Sequence, residues 1–236
     1  MKKRIIFILA LFVISAVILA DEAEDILTLA LEKQNYQTLQ ADVTVETTME
    51  GSNQKMIQEY KYIVKKPDKV KMDISKPFKQ TMVMSEGVVS IKMPDGKVIR
   101  QKQSELPGVA DMNLQQLQTI EGMKAKYQIA RIKEYGKDGK TYVEIKLAPK
   151  SKGLLPGMIM VIEKSTGKIV ENKVIDNSEN IISETLYEKI INVNNIYVPV
   201  EIKTILKFNQ KEYLTKIKYI NTKINTEITG SFFKLK

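Results

Sequence analysis

From Leu39 to Ile224 apolar and polar residues alternate, and a period of two predicts antiparallel strands through almost the whole chain. "QADVTVETTME" and "QKMIQEYKYIVKK" predict a hairpin around Gly51-Ser52-Asn53, and "KVKMDIS" follows the punctuation at Pro67-Asp68. In "TMVMSEGVVSIKMPDGKVIR", Glu86-Gly87 and Asp95-Gly96 read as tight turns, so five or six strands follow one another as a meander. The alternation returns in "YQIARIKEY", "TYVEIKLAP", "MIMVIEK", "KIVENKVID", "IISETLYEKI", "YVPVEIKTILKF" and "EYLTKIKYINTKI".

Two segments switch to helical spacing. Residues 21–36 put acids in the first turn and Ile26, Leu27, Ala30 and Leu31 on one stripe. In "SELPGVADMNLQQLQTIEGMKAK", Asn113 is the expected cap of a short helix carrying Leu114, Leu117 and Ile120, with Gly122 as its stop. The fold class is therefore α+β. It is one strongly curled, open antiparallel sheet of about ten or eleven strands, with an N-terminal helix and a short helical insertion.

Period two also defines one apolar sheet face, comprising Met82, Met84, Val89, Ile91 and Met93, and extended by Val98 if Asp95-Gly96 is a two-residue turn. Such a face is either ordinary core or the wall of a binding concavity. Methionine favours the second, because a flexible thioether adapts to ligands of variable shape. A helix as short as that of Leu114, Leu117 and Ile120, flanked by Met112 and Met123, is unstable alone and must lean on apolar surface. It serves either as a lid or as a plug that completes the core.

The first twenty residues, "MKKRIIFILALFVISAVILA", have a basic start, an apolar run too short to span a membrane comfortably, and a small residue at Ala20. They predict an export signal over residues 1–20, cleaved or retained as an anchor, and one domain over 21–236 outside the cytoplasm. Without cysteine there is no disulfide, no thiolate site and no lipidated N-terminus. Without histidine the usual general base and metal ligand are lacking too. Only Arg4, Arg100 and Arg131 among the 37 basic residues are arginine, which argues against nucleic acid as a partner. The spread of lysines suits a solvated surface or weak attraction to anionic membrane.

Motifs for chemistry are weak. Gly167-Lys168 lacks the upstream glycine and following Ser or Thr of a phosphate loop, and reads as a hairpin turn. "DNSEN", Asp176 to Asn180, lacks calcium-loop spacing and reads as a polar turn. The remaining acids mostly alternate with lysine along strands. No catalytic residue, metal site or cofactor is expected, and a carboxylate-based hydrolase is the least favoured of three functional readings.

The stretch "IVKKPDKVKMDISKPFKQTMVMSEGVVSIKMPDGKVIR" resembles the LolA superfamily of periplasmic lipoprotein carriers, which includes LolB and the stress regulator RseB. Lys66-Pro67 matches its strand ending in a basic residue before proline, and "SEGVVSIKMPDGKV" its hairpin. "YVEIKLAPKSK" matches a strand ending in Pro-Lys, and "KYINTKINTEITGSFFKL" the superfamily's C-terminal pattern. The resemblance implies an open half-barrel under a helical lid, whose apolar concavity holds the acyl chains of a lipoprotein. On that basis Met82, Met84, Val89, Ile91 and Met93 form the cavity wall, and Met112, Leu114, Leu117 and Ile120 the lid. Lys66 stands at the position of an arginine that latches the lid in that family, but lysine lacks the planar fork of arginine. The usual aromatic after the hairpin turn is replaced by Ser90-Ile91. The resemblance implies a monomeric carrier for lipoproteins or other acylated cargo, in transient contact with membrane. The alternative is an RseB-like sensor or scaffold bound to an envelope membrane protein; a LolB-like role would need the lipidated cysteine that this chain lacks.

Overall fold

The computed structural model describes residues 22–52, 54–103, 119–151 and 155–235. Helix α1 spans residues 22–32, and six strands follow: β1 (Thr38–Met49), β2 (Lys55–Lys65), β3 (Lys69–Lys76), β4 (Gln80–Ser85), β5 (Val88–Lys92) and β6 (Val98–Lys102). Helix α2 (Ile120–Lys126) leads into β7 (Tyr127–Lys137), β8 (Lys140–Pro149), β9 (Gly157–Glu163), β10 (Lys168–Ile175), β11 (Ile181–Val193), β12 (Ile196–Phe208) and β13 (Lys211–Ile224). A 3-10 turn at Gly230–Phe233 ends the described chain. The thirteen strands outnumber the ten or eleven expected and are ordered β6-β5-β4-β3-β2-β1-β13-β12-β11-β10-β9-β8-β7. The sheet is unclosed, with β6 and β7 at its edges. Among the described residues no helix is long and apolar enough to cross a membrane.

Tight turns set the registers. Glu86-Gly87, Asp138-Gly139, Asn194-Asn195 and Asn209-Gln210 each place two successive residues at positive φ. That geometry matches the right-handed twist of the strands they join. The Asp95-Gly96 loop is longer than expected: β5 ends at Lys92, Met93 N donates to Lys97 O, and Ile91 pairs with Ile99 while Lys92 pairs with Val98. Ile99, not Val98, therefore shares the face of Ile91.

The described residues fall into two compact units. Residues 22–33 and 119–184 make the first. There α1 buries Ala23, Ile26, Leu27 and Ala30, a spacing of i, i+3, i+4 and i+7. The helix stops before Tyr36, its expected end; Lys33 and Gln34 form a turn and the chain straightens toward β1. Glu22 pairs with Arg131 and Lys164, and Glu24 with Lys124, so acids in the helix's first turn also meet cations of the same unit. A Cβ on Gly167, which sits at φ +71, would lie 2.7 Å from Leu29 Cγ, so only glycine lets α1 approach the β9–β10 turn. Thr119 caps the described helix, its Oγ1 accepting from Gly122 N at 3.1 Å, and Asn113, the expected cap, lies outside the described residues. Gly122 thus belongs to the first turn rather than stopping the helix, and Met123 is buried one residue later. The Asp176 turn is the polar turn expected, since its carboxylate accepts from Ser178 N at 2.8 Å and Asn180 N at 2.9 Å.

Residues 34–103 and 185–235 make the second unit. One side of its sheet buries Leu39, Ala41, Val43, Val198 and Ile224 together. On β2 and β4 the other side buries Ile63 and Val83 beneath Ile228 and Phe233 of the C-terminal segment, which Lys65 Nζ anchors by donating to Ile228 O at 2.9 Å.

One buried acid breaks the rule that acids here lie on solvated faces. Glu163, in the first unit, is 4 % exposed and is met by Lys140 at 3.0 Å and Lys168 at 2.8 Å. Burial raises its pKa, but the hydrogen bonds and charges of the two lysines outweigh this and hold it below the ordinary glutamate value. The stabilisation is complete above the ordinary glutamate pKa of about 4.3 and is lost as pH falls through the lower folded-state value. Glu163→Gln is expected to destabilise by about 1–3 kcal/mol at neutral pH in urea unfolding, with the gap from the unsubstituted chain closing below about pH 4.

Candidate functional site

The second unit's apolar side extends well beyond its buried core. Directly opposed residues of antiparallel strands share a face, and the registers give two rows. The first runs Tyr62, Met72, Met82, Ile91 and Ile99 across β2, β3, β4, β5 and β6. The second runs Leu39, Val64, Val70, Met84 and Val89 across β1 to β5. Four strand spacings of about 4.8 Å make the first row about 19 Å long. The buried residue of β4 is Val83, on the other face; Met82, Met84, Val89, Ile91, Val70 and Met72 are all half-buried.

Four of the five expected wall residues, Met82, Met84, Val89 and Ile91, are thus brought together as cross-strand pairs, Met82 with Ile91 and Met84 with Val89. Met93 follows the end of β5, is 36 % exposed, and borders a different concavity of about 720 Å³. Its lining is mixed: Asp42, Lys61, Asp73, Thr81 and Lys92 pair successively across β1 to β5 as a polar row of their own, and Val43, Tyr60, Ile74 and Pro94 line it as well. Met112, Leu114 and Leu117 of the expected lid lie outside the described residues. Ile120 is the first residue of α2, in the first unit, and half-buried.

Toward β1 and β13 the same face becomes aromatic. Tyr62 packs edge-on against Tyr60, with centroids 6.2 Å apart, and against Tyr219 at 6.4 Å. Such pairs are worth about 0.5–1.5 kcal/mol beyond their area. Burial pushes the Tyr62 hydroxyl up to about 12, helped by Tyr36 and Tyr60 nearby, and pushes Tyr219 higher still. Lys66 stands just past β2 with its ammonium 4.8 Å from the centre of the Tyr36 ring and 3.3 Å from Asn35 Oδ1. It is half-buried, which lowers its pKa, and it has no carboxylate partner among the described residues. The expected latch residue is therefore held by the ring face of Tyr36 and the amide oxygen of the adjacent Asn35.

Tyr60, Tyr62, Val64, Val70, Met72 and Ile99 belong to this face but were not among the expected wall residues. The alternation in "YKYIV" carried a signal for three of them, yet only the register across the Lys66–Asp68 connection aligns them with Met82.

No family model matches the chain and no curated protein matches it in sequence. Solved structures do match in fold. A DUF1329 family protein from Desulfovibrio piger superposes with a TM-score of 0.69 at 12 % identity, covering 92 % of this chain and 97 % of that one. A LolA superfamily protein from Nitrosomonas europaea gives 0.63 at 16 % identity, covering 90 % and 97 %. A domain from Vibrio parahaemolyticus described as an outer membrane lipoprotein-sorting protein gives 0.67 at 11 % identity, covering 91 % and 97 %. The chain has the LolA-like fold.

Tyrosines with raised folded-state pKa values withdraw stability as pH rises, because the unfolded chain ionises first, near pH 10. Tyr62→Phe is expected to remove one ionisation near 12 from the ultraviolet titration and to move the alkaline unfolding midpoint upward.

Proposed function

We propose that this chain is an exported carrier or binder of lipoproteins or other acylated, apolar cargo. Cargo would lie on the face of Met72, Met82, Met84, Val89 and Ile91, and no covalent chemistry would be performed. In this reading Met112, Leu114, Leu117 and Ile120 supply the lid, Lys66 its latch, and residues 1–20 the export signal. The observation that carries the proposal is the contrast on β4, where Val83 is buried while Met82 and Met84, on the opposite face, stay half-buried in two apolar rows that continue over neighbouring strands. A solvated apolar face of that length is costly unless something apolar covers it. The LolA-like fold of the lipoprotein-sorting domain supports the same reading.

Transfer of an acyl chain from water contributes about 0.8 kcal/mol per methylene, so a dozen methylenes supply roughly 10 kcal/mol. Binding is therefore easily achieved, and release requires competition, which a lid with its own apolar residues would provide. Methionine suits a site that must accept chains of differing length.

The purified protein is expected to draw a fluorescent fatty-acyl probe out of detergent-free buffer. Met84→Glu or Ile91→Glu should weaken uptake by ~2 kcal/mol or more, roughly 30-fold, because the charge must be desolvated beneath the chain. Far-ultraviolet circular dichroism should be unchanged. Failure of the unsubstituted protein to take up any acylated probe would sink the proposal.

A further inference from the structure

The β1–β2, β3–β4, β5–β6 and β12–β13 connections all leave the second unit at the same end of its strands. That end carries a concentration of exposed apolar side chains. Phe78 is 76 % exposed, Met56 60 %, Phe208 59 %, Leu206 43 % and Ile57 42 %. Phe78 is at the β3–β4 connection, and Phe208 is the last residue of β12. Pairing of β2 with β3 stops at Glu59 and Lys76, so Met56 and Ile57 project past the end of β3 on the side of Phe78. Single exposed apolar residues are ordinary, but a cluster with aromatic tips marks a contact surface.

Lysines frame the cluster. Lys55, Lys76 and Lys207 pair with Glu46, Glu59 and Glu212. Lys79, Lys97 and Lys211 form no ion pair among the described residues, and the remaining acids at this end are Glu50 and Asp95. Phe78 sits between Lys76 and Lys79, and Phe208 between Lys207 and Lys211, so each exposed ring is flanked by ammonium groups on long flexible stems. An apolar ring at the acyl boundary with lysines at the headgroup level is the arrangement that a bilayer interface accepts.

We infer that this end of the second unit docks on the surface of an anionic lipid bilayer, with the Phe78 and Phe208 rings entering the interface and Lys79, Lys97 and Lys211 against the headgroups. None of its residues belongs to the apolar rows that hold Met82 and Ile91, so docking is tested separately from cargo binding.

The chain contains no tryptophan, which allows a reporter at the contact itself. Phe78→Trp in the exported protein should shift its emission to the blue with vesicles of phosphatidylcholine and phosphatidylglycerol, and be quenched by lipids spin-labelled near the headgroup. Phosphatidylcholine vesicles alone should give little shift, and raised salt should reverse it. Adding Lys79→Gln, Lys97→Gln and Lys211→Gln should weaken the vesicle titration about fivefold per lysine removed. Phe208→Ser in the same background should weaken it further, with acyl-probe uptake unchanged in every variant. Emission at position 78 that stays unshifted while protein pellets with anionic vesicles would overturn the inference, as would equal shifts with neutral vesicles. A shift seen only with native envelope vesicles, and not with protein-free lipid, would overturn it in favour of a protein receptor.

Discussion

Register in the second unit decides everything about its candidate site. Tyr62 opposite Met72, Met72 opposite Met82, and Met82 opposite Ile91 are backbone pairings before they are side-chain contacts. Side chains alternate at a period of two, so a slip of one residue would bring Val83 to the face of Met72 and turn Met82 and Met84 to the other side. The slip is opposed from both ends of β4. Glu86 and Gly87, at φ 55 and 74, permit only a two-residue connection to β5. Val83 is meanwhile fastened on the reverse side by Ile228 and Phe233. The C-terminal segment thus covers one side of these strands and fixes which residues the other side presents.

Much of this was legible in the sequence, because alternation is a direct print of the pleat. The strands lie on the alternating segments, although the expected ten or eleven fell short of thirteen, and Glu86-Gly87 and Asp138-Gly139 announce their turns through glycine's tolerance of positive φ. Asn194-Asn195 and Asn209-Gln210 perform the same turn without glycine; asparagine accepts the left-handed region through local side-chain hydrogen bonding, a weaker signal to read. Gly122 misled for a related reason: glycine near a helix suggests an end, but Thr119 competes for the start and its hydroxyl satisfies the Gly122 N–H. Val98 and Ile99 could not be told apart from alternation, since the choice depends on the length of the loop between β5 and β6.

Glu163 and the tyrosines were illegible for another reason. Glu163 ends a run of buried residues, Met160, Val161 and Ile162, and its lysines come from the start of β8 and the start of β10. Nothing local to Glu163 distinguishes it from the solvated acids that alternate with lysine elsewhere. Tyr60, Tyr62 and Tyr219 converge only because β1 lies between β2 and β13, a neighbourhood that joins the two ends of the chain. Local periodicity shows faces; which faces meet is a property of sheet order.

That sheet order also governs when the structure can exist. Leu39 pairs with Ile224, so the ladder that places Tyr219 beside Tyr62 closes a loop of about 185 residues. Contacts so distant in sequence cannot form during synthesis until β13 has emerged, which makes this a slow, late event of folding. Until then β1 has β2 on one flank and an unsatisfied row of backbone donors and acceptors on the other, able to recruit a foreign strand. A truncation that removes β13 alone leaves β1 as an open edge.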